Sequence, residues 1–543
     1  MKVLVIGGVA AGTKTAAKLK RENPGAQVTI VTKSSEISYA GCGLPYYVGD
    51  VITQREQLIV NTPQSFSRLT GAEVITETEV TALDRAAHTV TARAADGSEK
   101  TFSYDKLVIA VGASPTIPNV PGTDLENVFT MGTPADADAL KAAAEAGLGR
   151  AVVVGAGLVG LETAENLSAR GVKTTVIDIA PHILPGLLDE EMADYVENIL
   201  ADQGVMVLTS TGLEGLEGDG TLKKVLTSRR GIKADAAVLA LGFKPNTAFL
   251  EGSGLEMIKG TIAVDGYMQT NDPDIYACGD CAIVKNRITG ARKWSAMGST
   301  ANICGRLAAK RIAGSEAAPH PGVLGTAVAK LPGINIGRTG LGAKEAAENG
   351  FDVETVVAIS DDKAHYYPGS HPFIMKLLCD RKSHKLLGVQ VLGKGNVDKV
   401  VDIAVTAISM GAALEDLQYC DFAYAPPFST AIHPFETAVN VLLNKLSGDY
   451  MTVTPLEFAQ GLAQDRRIID TSLQPSLAGS TYVELTSVEG AVEGIGQDEK
   501  LLLVCNKGRR AYLLQNRLRY YGYKDVRVLE GGTTFNTSLL EKE

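Results

Sequence analysis

The chain has 543 residues, 45% of them hydrophobic and 21% charged, with a formal net charge of −10 and no long basic run. That composition suits roughly three or four globular domains and argues against a nucleic-acid or anionic-membrane surface as a partner. No segment reaches the about 20 apolar residues of a membrane span, and seven scattered cysteines without disulfide spacing point to a reducing, cytoplasmic setting.

Taken in chain order, residues 3–6 read as a buried strand rather than part of a signal peptide. A glycine turn over 7–12, a helix over 13–21 and a strand over 28–31 complete a βαβ unit. The same pattern returns with a strand at 151–154, a glycine turn at 155–160, a helix to Ala169 and a strand at 174–178. Glycines are needed there because tight turning and close approach of backbone to a pyrophosphate leave no room for side chains. The second copy is complete: Gly155, Gly157 and Gly160 form GxGxxG, and Asp178 closes the next strand where an acid can accept from a ribose hydroxyl. No arginine follows Asp178, which favours NADH over NADPH. The first copy keeps Gly7 and Gly12 but has Val9 at the middle position and Thr32 and Lys33 where a ribose-binding acid is usual.

From about 321 to 447 the glycine turns stop, and strands with a long helix over 395–412 predict a separate α+β domain. Residues 446–449 read as a linker, able to tether a further domain. Beyond it, a helix near 455–463, strands at 467–469, 501–504 and 526–529, and a helix over 510–521 predict an α/β module of roughly 90 residues.

Cys42 lies between Gly41 and Gly43 just after the first βαβ unit. The flanking glycines keep its sulfur accessible, and a helix starting behind it is expected to lower its pKa and favour the nucleophilic thiolate. Cys278 and Cys281 have ligand-like spacing, but no second pair completes a zinc site, so no metal is expected.

Residues 103–112, ending in Gly112, and 270–280, ending in Asp280, resemble two signatures of the two-dinucleotide flavoprotein disulfide reductases. The resemblance covers residues 1–445. It implies FAD on the first fold, with Asp280 on its ribityl chain, and makes Cys278 and Cys281 packing residues. The expected cofactor-binding residues for FAD and NADH are Gly7, Gly12, Ser38, Gly112, Gly155, Gly157, Gly160, Asp178, Gly242 and Asp280. Two-cysteine members carry a partner thiol five positions after the first; here Tyr47 stands there. Cys42 then cycles through a mixed disulfide, a persulfide or a sulfenic acid.

Residues 38–47 are similar to the redox stretch of coenzyme A disulfide reductases and their persulfide-reductase relatives. Residues 365–369 and 424–429 match those proteins' paired-tyrosine motifs, which implies that Tyr366 and Tyr424 reach Cys42 of a second subunit in a homodimer. NADH oxidases and peroxidases share the single cysteine, but peroxidases of that type have a histidine in the first glycine loop, where Ala10 or its neighbours stand here. Coenzyme A reductases usually carry asparagine where this chain has Gly41, which leaves coenzyme A an open third cofactor.

Residues 505–510 resemble the active loop of a rhodanese domain, implying a Cys505 persulfide held by backbone N–H groups with Arg510 adding charge. Asp470 fits that family's early aspartate, whereas Ser472 replaces a frequent arginine. The expected architecture is α/β: an FAD-binding domain (1–113 and 243–322), an NADH-binding domain (114–242), an α+β dimerisation domain (323–446) and a rhodanese-like domain (456–543). The expected catalytic residues are Cys42, Tyr366, Tyr424, Cys505 and Arg510, acting on a persulfide, polysulfide or coenzyme A disulfide. A redox-sensing sulfur-relay protein is the alternative from another class.

Overall fold

The structure, a computed structural model, describes residues 1–540. It divides into two compact units: Met1–Pro181 with Gly204–Val323, and His182–Gln203 with the residues from Leu324 onward.

In the first unit the strand Lys2–Ile6 pairs in parallel with Gln27–Val31 on one side and Lys106–Ile109 on the other. Ile275–Ala277 and Glu73–Ile75 complete this five-stranded parallel sheet at its two edges. The aliphatic run Val3 to Ile6 is buried throughout, as a parallel strand covered on both faces requires. A second five-stranded parallel sheet centres on Arg150–Val154, between Lys173–Ile177 and Ala236–Leu239. Each glycine turn is fixed by backbone crowding. Gly7 has φ +108° and a Cβ there would stand 2.1 Å from Ala110 O; Gly155 has φ +113° and the corresponding clash is 2.2 Å with Ala240 O. Only glycine fits either position.

The second unit holds an antiparallel five-stranded sheet, in the order Ala327–Leu331, Ile334–Gly340, Leu386–Gly393, Pro372–Asp380 and Val353–Asp361. Helices Val397–Met410 and Pro434–Leu446 pack on it. The helix Glu190–Asp202 also belongs to this unit. It is clamped by Lys376, whose Nζ lies 2.7 Å from Asp189 Oδ2 and also bonds Glu191. Burial alone would pull the Lys376 ammonium down, and these two carboxylates outweigh it.

The C-terminal module is a five-stranded parallel sheet, ordered Thr452–Val453, Asp525–Leu529, Lys500–Val504, Arg467–Asp470 and Thr481–Tyr482. The expected tether is not one. The helix Pro434–Leu446 ends in a short turn, and Tyr450 is already buried. Glu530, fully buried in the module, accepts from Val357 N at 2.8 Å, Lys445 Nζ at 2.7 Å and Thr452 Oγ1 at 2.7 Å. A buried carboxylate with three donors fixes the module against the antiparallel sheet. Among the described residues, no helix is long and apolar enough to cross a membrane.

Candidate functional site

The two glycine turns differ in what lies over them. At the second, a Cβ on Gly157 would meet nothing within 4 Å, whereas one on Gly160 would stand 1.9 Å from Gly155 O. Gly157 therefore leaves open space above the N-terminus of the helix Leu158–Ala169, and Gly160 packs the helix against the turn. Asp178 Oδ2 accepts from Ala156 N at 2.7 Å and Oδ1 from Ala180 N at 2.8 Å, which holds the carboxylate across the mouth of the turn. Gly242 also has open space at its Cβ position.

At the first turn, Ser38 N–H donates to Gly8 O at 2.8 Å, and Gly112 (φ +64°) again faces open space. A cavity beside Gly7 is lined by Thr32, Lys33 and Glu79. Glu79 belongs to the strand Thr78–Asp84. Asp280 follows the strand Ile275–Ala277, and burial raises its carboxyl. Cys278 and Cys281 are fully buried, bonded to Thr15 and to backbone carbonyls, as packing residues should be. These glycine cradles and the open space over them fit a dinucleotide on each fold.

Cys42 sits in the 3₁₀ turn Gly41–Gly43, exposed, ahead of the helix Leu44–Val48. The expected lowering of its pKa is corrected. Packing around the sulfur raises the thiol, the Glu162 and Asp280 carboxylates add to the rise, and its own backbone N–H opposes it only weakly. A helix of five residues carries too little dipole to win. Glu162 carries no mark of this role in the sequence. It lies on the helix behind the second glycine turn, and its Oε1 accepts from Tyr46 Oη at 3.2 Å. Burial, helped by Glu165 and opposed by Tyr46, pushes the Glu162 carboxyl up to about 7. Cys42 thus lies within the electrostatic reach of a carboxyl pushed up to about 7. Tyr47, buried, occupies the place of a second thiol.

Beside Ser38 and Tyr39, a cavity of about 590 Å³ is rimmed by Lys14, Lys20 and Arg21. Lys20 is committed to the carbonyls of Pro24 and Ala26, so Lys14 and Arg21 are the cations left to meet an anion.

In the second unit, Tyr366 and Tyr424 are both exposed, and a hydrogen bond between their hydroxyls pushes the Tyr424 phenol up. Cys505 is buried at the foot of the helix Arg509–Tyr520, and its Sγ accepts from Ala511 N at 3.4 Å. Arg510, expected to add charge beside Cys505, is held by partners of its own: its Nε donates to Thr471 O at 2.7 Å and its Nη2 pairs with Glu484 Oε1 at 2.8 Å, so it also braces the loop. Asp470 accepts from the N–H groups of Ser472, Ser476 and Leu477.

Comparison with known proteins agrees with this arrangement along the chain. Residues 1–299 match the pyridine nucleotide-disulphide oxidoreductase family, 327–434 its dimerisation domain, and 454–534 the rhodanese-like domain. An NADH oxidase of Methanocaldococcus jannaschii is 35% identical over 448 residues, covering 82% of this chain and 100% of the relative. The structure of a NAD-dependent persulfide reductase from A. fulgidus aligns with a TM-score of 0.94 at 35% identity, over 98% of this chain and 100% of that one. Reduced CoADR-RHD of Bacillus anthracis gives the same TM-score, 0.94, at 31% identity over 100% and 98% of the two chains. With both dinucleotide folds, the dimerisation domain and the C-terminal module all accounted for, the chain belongs to the pyridine nucleotide-disulphide oxidoreductase family.

Proposed function

We propose that the protein is an NADH-dependent flavoprotein reductase of persulfides, polysulfides or coenzyme A disulfide, working as a homodimer through the single thiol Cys42, with Cys505 as a sulfur carrier. The observation that carries this reading is an exposed Cys42 with a tyrosine in place of a second thiol. Support comes from full-length likeness to the persulfide reductase and CoADR-RHD, both aligned through the C-terminal module.

In this reading Gly7, Gly12, Ser38, Gly112 and Asp280 hold FAD, and Gly155, Gly157, Gly160, Asp178 and Gly242 hold NADH. When bound, FAD takes hydride from NADH and passes an electron pair to sulfur. The Cys42 thiolate attacks the outer sulfur of R–S–SH, the S–S bond breaks, and RS⁻ leaves as Cys42 becomes Cys42–S–SH. Tyr366 and Tyr424 of a second copy donate to the departing thiolate. Two electrons then cleave Cys42–S–SH to the Cys42 thiolate and HS⁻. Lys14 and Arg21 suit a phosphorylated thiol such as coenzyme A as carrier of the sulfur. Cys505 is loaded from a sulfur donor, with Ala511 N–H and the helix N-terminus stabilising the anion.

The test is a steady-state NADH oxidation panel with coenzyme A persulfide, coenzyme A disulfide, polysulfide, peroxide and oxygen. The reading expects a sulfur acceptor to rank first in kcat/KM. Oxygen or peroxide ranking first would replace it with an oxidase or peroxidase.

A further inference from the structure

We propose that the Thr471 hydroxyl binds the outer sulfur of a Cys505 persulfide, so that the C-terminal module holds this sulfur more tightly than the Cys505 loop alone would. The inference deepens the sulfur-carrier reading of Cys505 given above and rests on it.

Strand register puts the two residues side by side. The parallel strands Arg467–Asp470 and Lys500–Val504 pair Ile469 with Leu503 and Asp470 with Val504. Thr471 N–H then donates to Val504 O at 2.9 Å, the bond by which a parallel ladder sets a residue level with the one that follows its acceptor. Thr471 is therefore level with Cys505, and side chains level with one another on adjacent strands leave the sheet on the same face. The Thr471 carbonyl accepts from Arg510 Nε at 2.7 Å, which ties this residue to the far end of the Cys505 loop.

The hydroxyl is idle in the resting protein. Thr471 is 0% exposed, and its Oγ1 has no hydrogen-bond partner among the described residues. A buried hydroxyl without a partner costs stability that an apolar group of the same shape would not, and it marks a place where something bound completes it. The resting thiol is not that partner, since Cys505 Sγ accepts from Ala511 N at 3.4 Å and leaves Thr471 Oγ1 unbonded. A sulfur added to Cys505 stands about 2.05 Å beyond Sγ and carries negative charge, so it is an acceptor that exists only in the loaded state. Two cations of the loop are less free to serve it. Lys507 Nζ lies 2.6 Å from Asp361 Oδ1 and Arg510 Nη2 lies 2.8 Å from Glu484 Oε1, and each carboxylate weakens its partner's pull on a further anion. A neutral hydroxyl donor keeps its full strength.

Thiosulfate is the probe. The Cys505 thiolate attacks its outer sulfur, the S–S bond breaks, and sulfite leaves with the bonding electron pair, giving Cys505–S–S⁻. The step is reversible, so the fraction of Cys505 loaded at a fixed ratio of thiosulfate to sulfite reads the stability of the persulfide against the thiolate. It is measured by peptide mass on the full-length Cys42→Ser holoprotein without NADH, so that Cys42 cannot take the sulfur. In that parent, Thr471→Val should lower the loading equilibrium constant at least about tenfold, whereas Thr471→Ser, which keeps the hydroxyl, should stay close to the parent. The alkylation midpoint of unloaded Cys505 should be the same in all three, because the hydroxyl does not touch the resting thiol. A loading constant equal in Thr471→Val and the parent, or an equal loss in Thr471→Ser, would overturn the proposal while leaving Cys505 a carrier. No sulfur on Cys505 in the parent would overturn the carrier reading as well.

Discussion

Asp178→Ala should reverse much of the protein's nucleotide preference. The Asp178 carboxylate is held across the second glycine turn by Ala156 N–H at 2.7 Å and Ala180 N–H at 2.8 Å, facing the open space above Gly157. A carboxylate in that place accepts from a ribose hydroxyl and repels a 2′-phosphate. A hydrogen bond to a charged group contributes about 1.5–3 kcal/mol, so the loss in kcat/KM for NADH should be about 10- to 150-fold. NADPH should lose far less or gain, because the repulsion goes with the charge. The same substitution removes the acceptor for two backbone donors, which could loosen the turn for either nucleotide. Asp178→Asn separates the effects, since it keeps one acceptor oxygen and removes only the charge. Steady-state kinetics with saturating persulfide and varied nucleotide read the ratio directly. An NADH-to-NADPH ratio unchanged in both variants would refute the argument and leave Asp178 as a brace for the turn.

Three further outcomes are expected from the same geometry. Gly157→Ala should leave stability within about 0.5 kcal/mol by urea unfolding but raise the KM for NADH about tenfold, because its Cβ meets no protein atom; Gly160→Ala should instead destabilise the fold, its Cβ lying 1.9 Å from Gly155 O. Glu162→Gln should shift the pH midpoint of Cys42 alkylation by iodoacetamide downward, since a carboxylate that raises the thiol has been removed; an unmoved midpoint would detach Glu162 from the thiol. Burial, then Lys399, hold the His433 imidazole down to about 4, while its Nδ1 accepts from Phe435 N at 3.2 Å. Unfolded histidine titrates near about 6.5, so this contribution is complete above that pH. It is lost as pH falls towards 4, by about 3 kcal/mol, and His433→Gln should flatten the slope in that window.

What could be read from the chain alone was what depends on local spacing. The turns at Gly7 and Gly155 carry their own cause, because a carbonyl from a neighbouring strand sits where a Cβ would be. The fold class and the C-terminal α/β module were legible for the same reason, each being a run of strand, turn and helix signals, whereas the module's rhodanese likeness rested on the resemblance of residues 505–510 to a known loop. What depends on distant partners was hidden. Glu162 meets Tyr46 only after two βαβ units have folded side by side, and nothing in its own neighbourhood marks it. The Cys42 thiol rises through burial by the folded surroundings, with Glu162 and Asp280 adding to it from remote segments, while the helix expected to lower it is too short. Residues 446–449 have the composition of a linker, yet the buried Glu530 and its donors turn the C-terminal module into a fixed part of its unit. Arg510 has the loop position of a catalytic cation, and its pairing with Glu484, across a loop with no recognisable signature, was not legible.

The central claim is that one thiol, Cys42, carries the electrons to sulfur. The most direct measurement is sulfide release from an organic persulfide by the Cys42→Ser holoprotein supplied with NADH. The account predicts that NADH still bleaches the bound flavin while sulfide release falls at least about a thousandfold. Sulfide release within tenfold of the unaltered protein would contradict it.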